Sequence, residues 1–375
     1  MKKWTILAAC AGTAFWAIPH AAADILVPDS FRDRVMRFSS VDGSLIDIDF
    51  ITNDATGGIM LLGVKIKQVG DELWLSDQNL DGILKFDLDG AYLGFVVGPA
   101  NNLDNVRGFD VVNNILYVCN FGSLNGAPGA AIRKFDATTL ADLGSESPPQ
   151  VQSCWDVREY AGRVVVSDGG TITTVPSQDT GYIWSLDPVT GVYNGTFASG
   201  TLASNGLSLP KGMTVLSDGN LLVANNSGTG GRAILEYDAS GARVATYPLE
   251  SNFNANGVIE LDNGTIMICL QGTGVFGTNG IYILDRSTGI VTPSLLGSQT
   301  ADGFIPNNPG RFTPPGPVCI ADANGDGRTD GADLSVVLAN FGLPANSPEF
   351  GNFNGDGICN AADLSVLLSQ WGCGT

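Results

Sequence analysis

The chain has 375 residues, more than one ordinary hydrophobic core accommodates, so two domains are the starting expectation. Its 38 acidic residues against 19 basic ones give a net charge of −19, which argues against nucleic acid or acidic polysaccharide as a partner and points to cations as ligands. It contains a single histidine, His20.

Met1-Lys2-Lys3 places positive charge ahead of an apolar run from Trp4 to Ile18, and Ala21-Ala22-Ala23 follows with small side chains. This is the pattern of a secretory signal peptide over residues 1–23, with cleavage after Ala23. Cleavage removes Lys2, Lys3 and His20, so the mature chain is more acidic still and has no histidine. Ser-His-Asp hydrolysis, HExxH zinc chemistry and histidine-ligated lyases are thereby excluded. No later stretch approaches the roughly 20 apolar residues of a membrane span. The expected location is secreted, extracellular or at the cell surface, with the periplasm open. Six cysteines remain, an even number suited to disulfides in an oxidising compartment.

From residue 24 to 312 one phrase recurs: an apolar strand ending in Asp or Asn, a Gly-rich loop, a second strand ending in Asp, and a turn. Leu73-Trp74-Leu75-Ser76-Asp77 leads to Ile83-Leu84-Lys85-Phe86-Asp87, and Val164-Val165-Val166-Ser167-Asp168 leads to Ile183-Trp184-Ser185-Leu186-Asp187. Equivalent strands begin at Ile25, Leu116, Leu221 and Ile266. Copies spaced by about 43 to 57 residues, with alternating apolar strands and no helical period, predict a mainly β fold: a six-bladed β-propeller, seven blades remaining open. The stretch from Ser294 to Phe312 is expected to close the ring on the N-terminal strand. The phrase resembles the NHL repeat, most closely from Pro210-Lys211-Gly212-Met213-Thr214-Val215 through Asn220-Leu221-Leu222-Val223-Ala224-Asn225 to Gly241.

In such a blade the start of the innermost strand and the end of the next share one face. That face gathers Arg107, Trp155, Lys211 and Asn256, which break the repeat and are the candidate ligand-binding residues. It also gathers Asp29, Asp77, Asn120, Asp168 and Asn225, whose recurrence is better explained by turn hydrogen bonds than by a ligand. Long Gly-rich loops leave it at 121–130, 169–180, 226–232 and 271–279. A glycan or a small molecule is the expected ligand. Gluconolactonase-like propellers need a glutamate near the N-terminus, but the first glutamate here is Glu72. A glycoside hydrolase or polysaccharide lyase built on carboxylates stays open, as does a structural cell-surface role.

Thr313-Pro314-Pro315-Gly316-Pro317 reads as a stiff linker, residues 313–318. Residues 319–375 then contain two twelve-residue loops with oxygen side chains at positions 1, 3, 5, 9 and 12 and glycine at 6, the donor set a hard cation requires. The first supplies Asp322, Asn324, Asp326, Asp330 and Asp333, with the Arg328 carbonyl at position 7; the second supplies Asn352, Asn354, Asp356, Asn360 and Asp363, with the Ile358 carbonyl. Each runs into a helix beginning Ala-Asp-Leu-Ser-Val. The segment resembles a type I dockerin, a small α-helical calcium-folded module that plugs secreted proteins into cohesins. The resemblance implies two Ca2+ ions, tighter at the first loop, where four carboxylates stand against two. Positions 10 and 11, Gly331-Ala332 and Ala361-Ala362, depart from the Ser/Thr pair of cohesin-binding dockerins, so the implied partner is a cohesin-like protein or another cell-surface component. Cys319 and Cys373 are placed to clasp the module, leaving Cys359 over; Cys119 with Cys154 is a second candidate disulfide. The sequence thus leads to a secreted, non-catalytic binding propeller, to which the dockerin resemblance adds a tether and an implied connection to polysaccharide breakdown.

Overall fold

The computed structural model describes residues 23–170, 180–201, 206–226, 232–250, 253–272, 279–300, 303–314 and 319–374. Nearly all of the expected signal peptide, most of the linker and most of the loops after Gly170, Asn226 and Gly272 lie outside the described residues. The chain divides into two compact units between Pro314 and Pro315.

The larger unit is a six-bladed β-propeller of six four-stranded sheets. Its inner strands are Gly310–Phe312, Gly63–Val69, Val106–Val112, Cys154–Tyr160, Pro210–Val215 and Phe253–Glu260. The second strands are buried almost throughout, Ile115–Asn120 and Leu221–Asn225 at every residue, whereas outer strands such as Tyr92–Val97 and Arg243–Pro248 mix exposed and sheltered positions. The difference follows from packing. A second strand has a neighbouring blade against each face and so reads as a continuous apolar run, while an outer strand meets water on one side. Apolar clusters fill the space between adjacent blades: Leu26, Leu73, Leu75 and Phe86 between the first and second, and Tyr117, Cys119, Val164, Val166 and Trp184 between the third and fourth.

The ring closes within the first blade. Gly310–Phe312 pairs antiparallel with the N-terminal strand, Asp24 opposite Phe312 and Leu26 opposite Gly310. Gly310 is required there because a Cβ would lie 2.1 Å from the Ile66 carbonyl oxygen.

The smaller unit holds helices α1 (Gly331–Asn340) and α2 (Ala361–Ser369). Asp330 and Asn360 cap them, their side chains accepting from the Ala332 and Ala362 amides. The core is small, with Ala321, Val337, Ala345, Cys359 and Leu367 at its centre, and a Cys319–Cys373 disulfide ties the ends together. The second expected disulfide is corrected: Cys119 and Cys154 are free, buried thiols. Cys154 donates to the carbonyls of Asn120 and Ala131, and burial pushes the Cys119 thiol well up, so both pack as small apolar groups between blades. No described helix is long and apolar enough to cross a membrane.

Candidate functional site

The recurring strand-end residues staple the fold. Asp77 accepts from the Leu61 and Leu62 amides ahead of its own blade's inner strand, and from Asn79 and Leu80 in the following turn. Asp168 does the same with Gln152, Ser153 and Gly170 and also accepts from the Trp184 indole. Asn120 and Asn225 accept from Asp104 and Ser208, and Asp29 accepts from Ile305 and Phe31. In five of the six blades one polar residue fixes the lead-in to the inner strand, the structural role that recurrence suggested.

The candidates that break the repeat share a different position. The ladder between inner and second strands shifts register between Val106 and Phe109, Cys154 and Asp156, Pro210 and Met213, and Ala255 and Gly257. Arg107, Trp155, Lys211 and Asn256 are thus all bulge residues. A bulge turns its side chain out of the strand's alternation, here toward one end of the central channel. The second blade has Val64 at this place, between Gly63 and Lys65, and the first has Asn307, beside the Asp29–Pro306 bridge. Five of these six residues, all but Arg107, line a cavity of about 360 Å³ together with Phe31, Gln78 and Gln271. Asn307 escaped sequence reasoning because the short strand after it carries no repeat phrase.

Arg107 sits outside that lining. Its guanidinium carbon lies 4.0 Å from the ring centroids of both Phe121 and Trp155, and Nη1 donates to Ser153 Oγ at 2.7 Å. Lys211, from the blade on the other side of Trp155, places Nζ 4.4 Å from the indole centroid and donates to Asn256 Oδ1 at 2.8 Å. Asn256 in turn donates to the Pro306 carbonyl. The Trp155 ring therefore holds two cations in place. Burial and the charge of Arg107 push the Lys211 ammonium down to about 7. Nearby, burial and the charges of Asp77 and Asp29 push Asp33 up to about 6.

The residue after each bulge forms the next layer: Gly108, Gly212 and Gly257 in three blades. A Cβ at Gly108 would lie 2.3 Å from the Trp155 carbonyl oxygen, and one at Gly212 2.7 Å from that of Asn256, so these glycines let successive inner strands approach closely. Where the glycine is replaced, by Lys65 and Asp156, the two replacements pair with each other: Lys65 Nζ is 2.5 Å from Asp156 Oδ1, and both side chains are fully buried. Arg158 adds contacts to Asp156 and Asp110, and Lys67 pairs with Asp110. Burial and the charge of Arg158 push Lys65 down to about 8; burial opposes ionisation of Asp156, but Arg158 and Lys65 hold its carboxyl below the usual range. Toward the other end, a cavity of about 630 Å³ is lined by Lys67, Asp110, Arg158, Glu260 and Arg311. Its charges are already partnered, Arg311 with Asp262 and Glu260 with Ser217. The smaller cavity carries a lysine, Lys211, that no carboxylate pairs among the described residues, and we take it as the candidate site.

In the smaller unit the two loops share a hydrogen-bond pattern. Asp333 accepts from Ala323, Asn324 and Asp330, and Asp363 accepts from Phe353, Asn354 and Asn360. Asp326 and Asp356 accept from Arg328 and Ile358, and the carboxyl of Asp356 is held low chiefly by the Ile358 amide. No three acidic or cysteine side chains among the described residues gather into a ready metal cluster. The donors present are oxygens, and a carboxylate oxygen that accepts one N–H keeps a second lone pair, so the set fits a hard cation.

No protein-family model and no curated protein matches the chain. Solved structures do. A chain of a nidogen–laminin complex is similar with a TM-score of 0.54 at 11% identity, over 77% of this chain and 98% of that one. A protein of unknown function from Bacteroides caccae is similar with a TM-score of 0.51 at 12% identity, over 78% and 99%. At such identities the likeness shows the fold alone.

Proposed function

We propose that this is an exported binding protein whose propeller captures a small ligand in the 360 Å³ cavity and whose C-terminal unit, a calcium-folded dockerin-like module, tethers it to a partner. The observation that carries the ligand reading is the convergence of Trp155, Lys211 and Asn256, from three successive blades, on one cavity wall. The described lining offers no carboxylate, so two-carboxylate glycoside hydrolysis has no machinery there. Titration of the full-length protein with mono- and disaccharides tests the reading: binding is expected, and Trp155→Ala should weaken it at least tenfold. Undiminished binding by that variant would place the ligand elsewhere.

Two Ca2+ ions are assigned to the loops, the first held by Asp322, Asn324, Asp326, Asp330, Asp333 and the Arg328 carbonyl, the second by Asn352, Asn354, Asp356, Asn360, Asp363 and the Ile358 carbonyl. The shared hydrogen-bond pattern supports this assignment. Calorimetry is expected to register two ions, the first-loop site tighter; absence of calcium uptake overturns it. Leu338 and Phe341, with Leu368 and Trp371 at the matching positions of the other half, are exposed apolar side chains suited to a protein partner. A cohesin-like protein or a cell-surface component is the proposed partner. The connection to polysaccharide breakdown rests on the dockerin resemblance, and export rests on the signal-like N-terminus.

A further inference from the structure

Among the described residues, Lys211 is the one charged residue on the wall of the candidate cavity. It has no carboxylate partner among the described residues, in a chain with twice as many acids as bases. Behind Trp155, Arg107 brings a second positive charge, and among the described residues it has no carboxylate ion-pair partner and its buried Nε no hydrogen-bond partner. Among the described residues neither cation forms an ion pair with an acid of this face, although the Asp168 charge acts on Arg107 from a distance. The Asp77 and Asp168 carboxylates are engaged by backbone amides, and Asp29 is engaged by amides and by Arg34. Cations withdrawn from water without counter-charge are unfavourable. The other charges of the channel are paired, the buried Lys65–Asp156 pair foremost. The contrast marks the cavity as built for an anion that arrives from outside.

We propose that the cavity binds a small organic carboxylate of sugar size, its charge paired with Lys211 and its polar groups met by Asn256, Asn307, Gln78 and Gln271. A monoanion fits better than a phosphate dianion, because a single ammonium reaches the wall and a second negative charge would be left uncompensated. The cavity volume accommodates a monosaccharide acid. The negative charge of the chain as a whole describes its outer surface, whereas at this site the local field is positive. The proposal rests on the ligand-binding reading of the same cavity.

The test uses the full-length protein at pH 6.5 and calorimetric titration with glucuronate, galacturonate, glucose and inorganic phosphate. At least one uronate is expected to bind tenfold or more tightly than glucose and phosphate. Lys211→Met should abolish that preference and Lys211→Arg should retain it, with the unfolding temperatures of both variants checked against the parent. Equal binding of glucose and the uronates, tighter binding of phosphate, or a preference that survives Lys211→Met overturns the carboxylate assignment and leaves the cavity reading standing. Failure of every compound, charged and neutral, overturns both.

Discussion

Asp156 is a fully buried charge in the channel that accepts from Lys65 Nζ and from the Met213 amide and lies 3.7 Å from Arg158 Nη2. Truncating one member of a buried pair leaves the other charged and unsolvated. Asp156→Ala is therefore expected to cost about 3 to 5 kcal/mol in urea denaturation, and Asp156→Ala with Lys65→Met less than the sum of the single losses. Lys211 titrates within an accessible range. Its pKa of about 7 means that the cation which attracts a carboxylate is present below neutrality and lost as pH rises toward 9. The charged group that acts on it, Arg107, stays ionised throughout. Uronate affinity should accordingly fall between pH 7 and 9, and a flat profile would separate binding from Lys211.

Turn aspartates at the ends of the third strands repeat one device. Asp187 accepts from the Val189 and Thr190 amides, and Asp238 accepts from Ser240 and Ala242. The Thr190 amide chiefly holds the Asp187 carboxyl below its usual range, and the Ser240 hydroxyl does so for Asp238. A depressed carboxylate stabilises the fold above its unfolded pKa and ceases to do so as pH falls through the folded value. Asp187→Ala should lower the unfolding temperature at pH 7, with the difference shrinking toward pH 3. These turns, the period-two strands and the strand-end staples are local, which is why the propeller could be read from sequence, with seven blades left open until the six sheets decided the number. The position of Arg107, Trp155, Lys211 and Asn256 near the starts of inner strands was legible too, but not the bulges that turn them or the exclusion of Arg107 from the cavity lining. The Lys65–Asp156 pair was not legible, since it joins residues 91 apart across the channel. Cys119 and Cys154 were misjudged for a related reason: adjacency in space does not distinguish a bond from two packed thiols.

At the scale of the molecule, the two units have separate cores and depend on different things. The Cys319–Cys373 bond spans 54 residues, a loop whose closure is worth about 4 kcal/mol by chain entropy. The remaining described cysteines, three of them in the propeller, are reduced. Reductant together with a calcium chelator should therefore lower the unfolding transition of the small unit and leave that of the propeller in place, which calorimetric scanning would resolve. Pairing of Asp24–Leu26 with Gly310–Phe312 bears on how the propeller is made. Strand exchange at the seam joins the first residues of the ring to the last, so a chain threaded from its N-terminus has an open sheet edge on its first blade until residue 312 emerges. Five blades can assemble in order of synthesis, but the circle is completed only at the end. Until then the strand Asp24–Asp29 is an open edge that a second chain can pair with, so the seam is where association during folding begins.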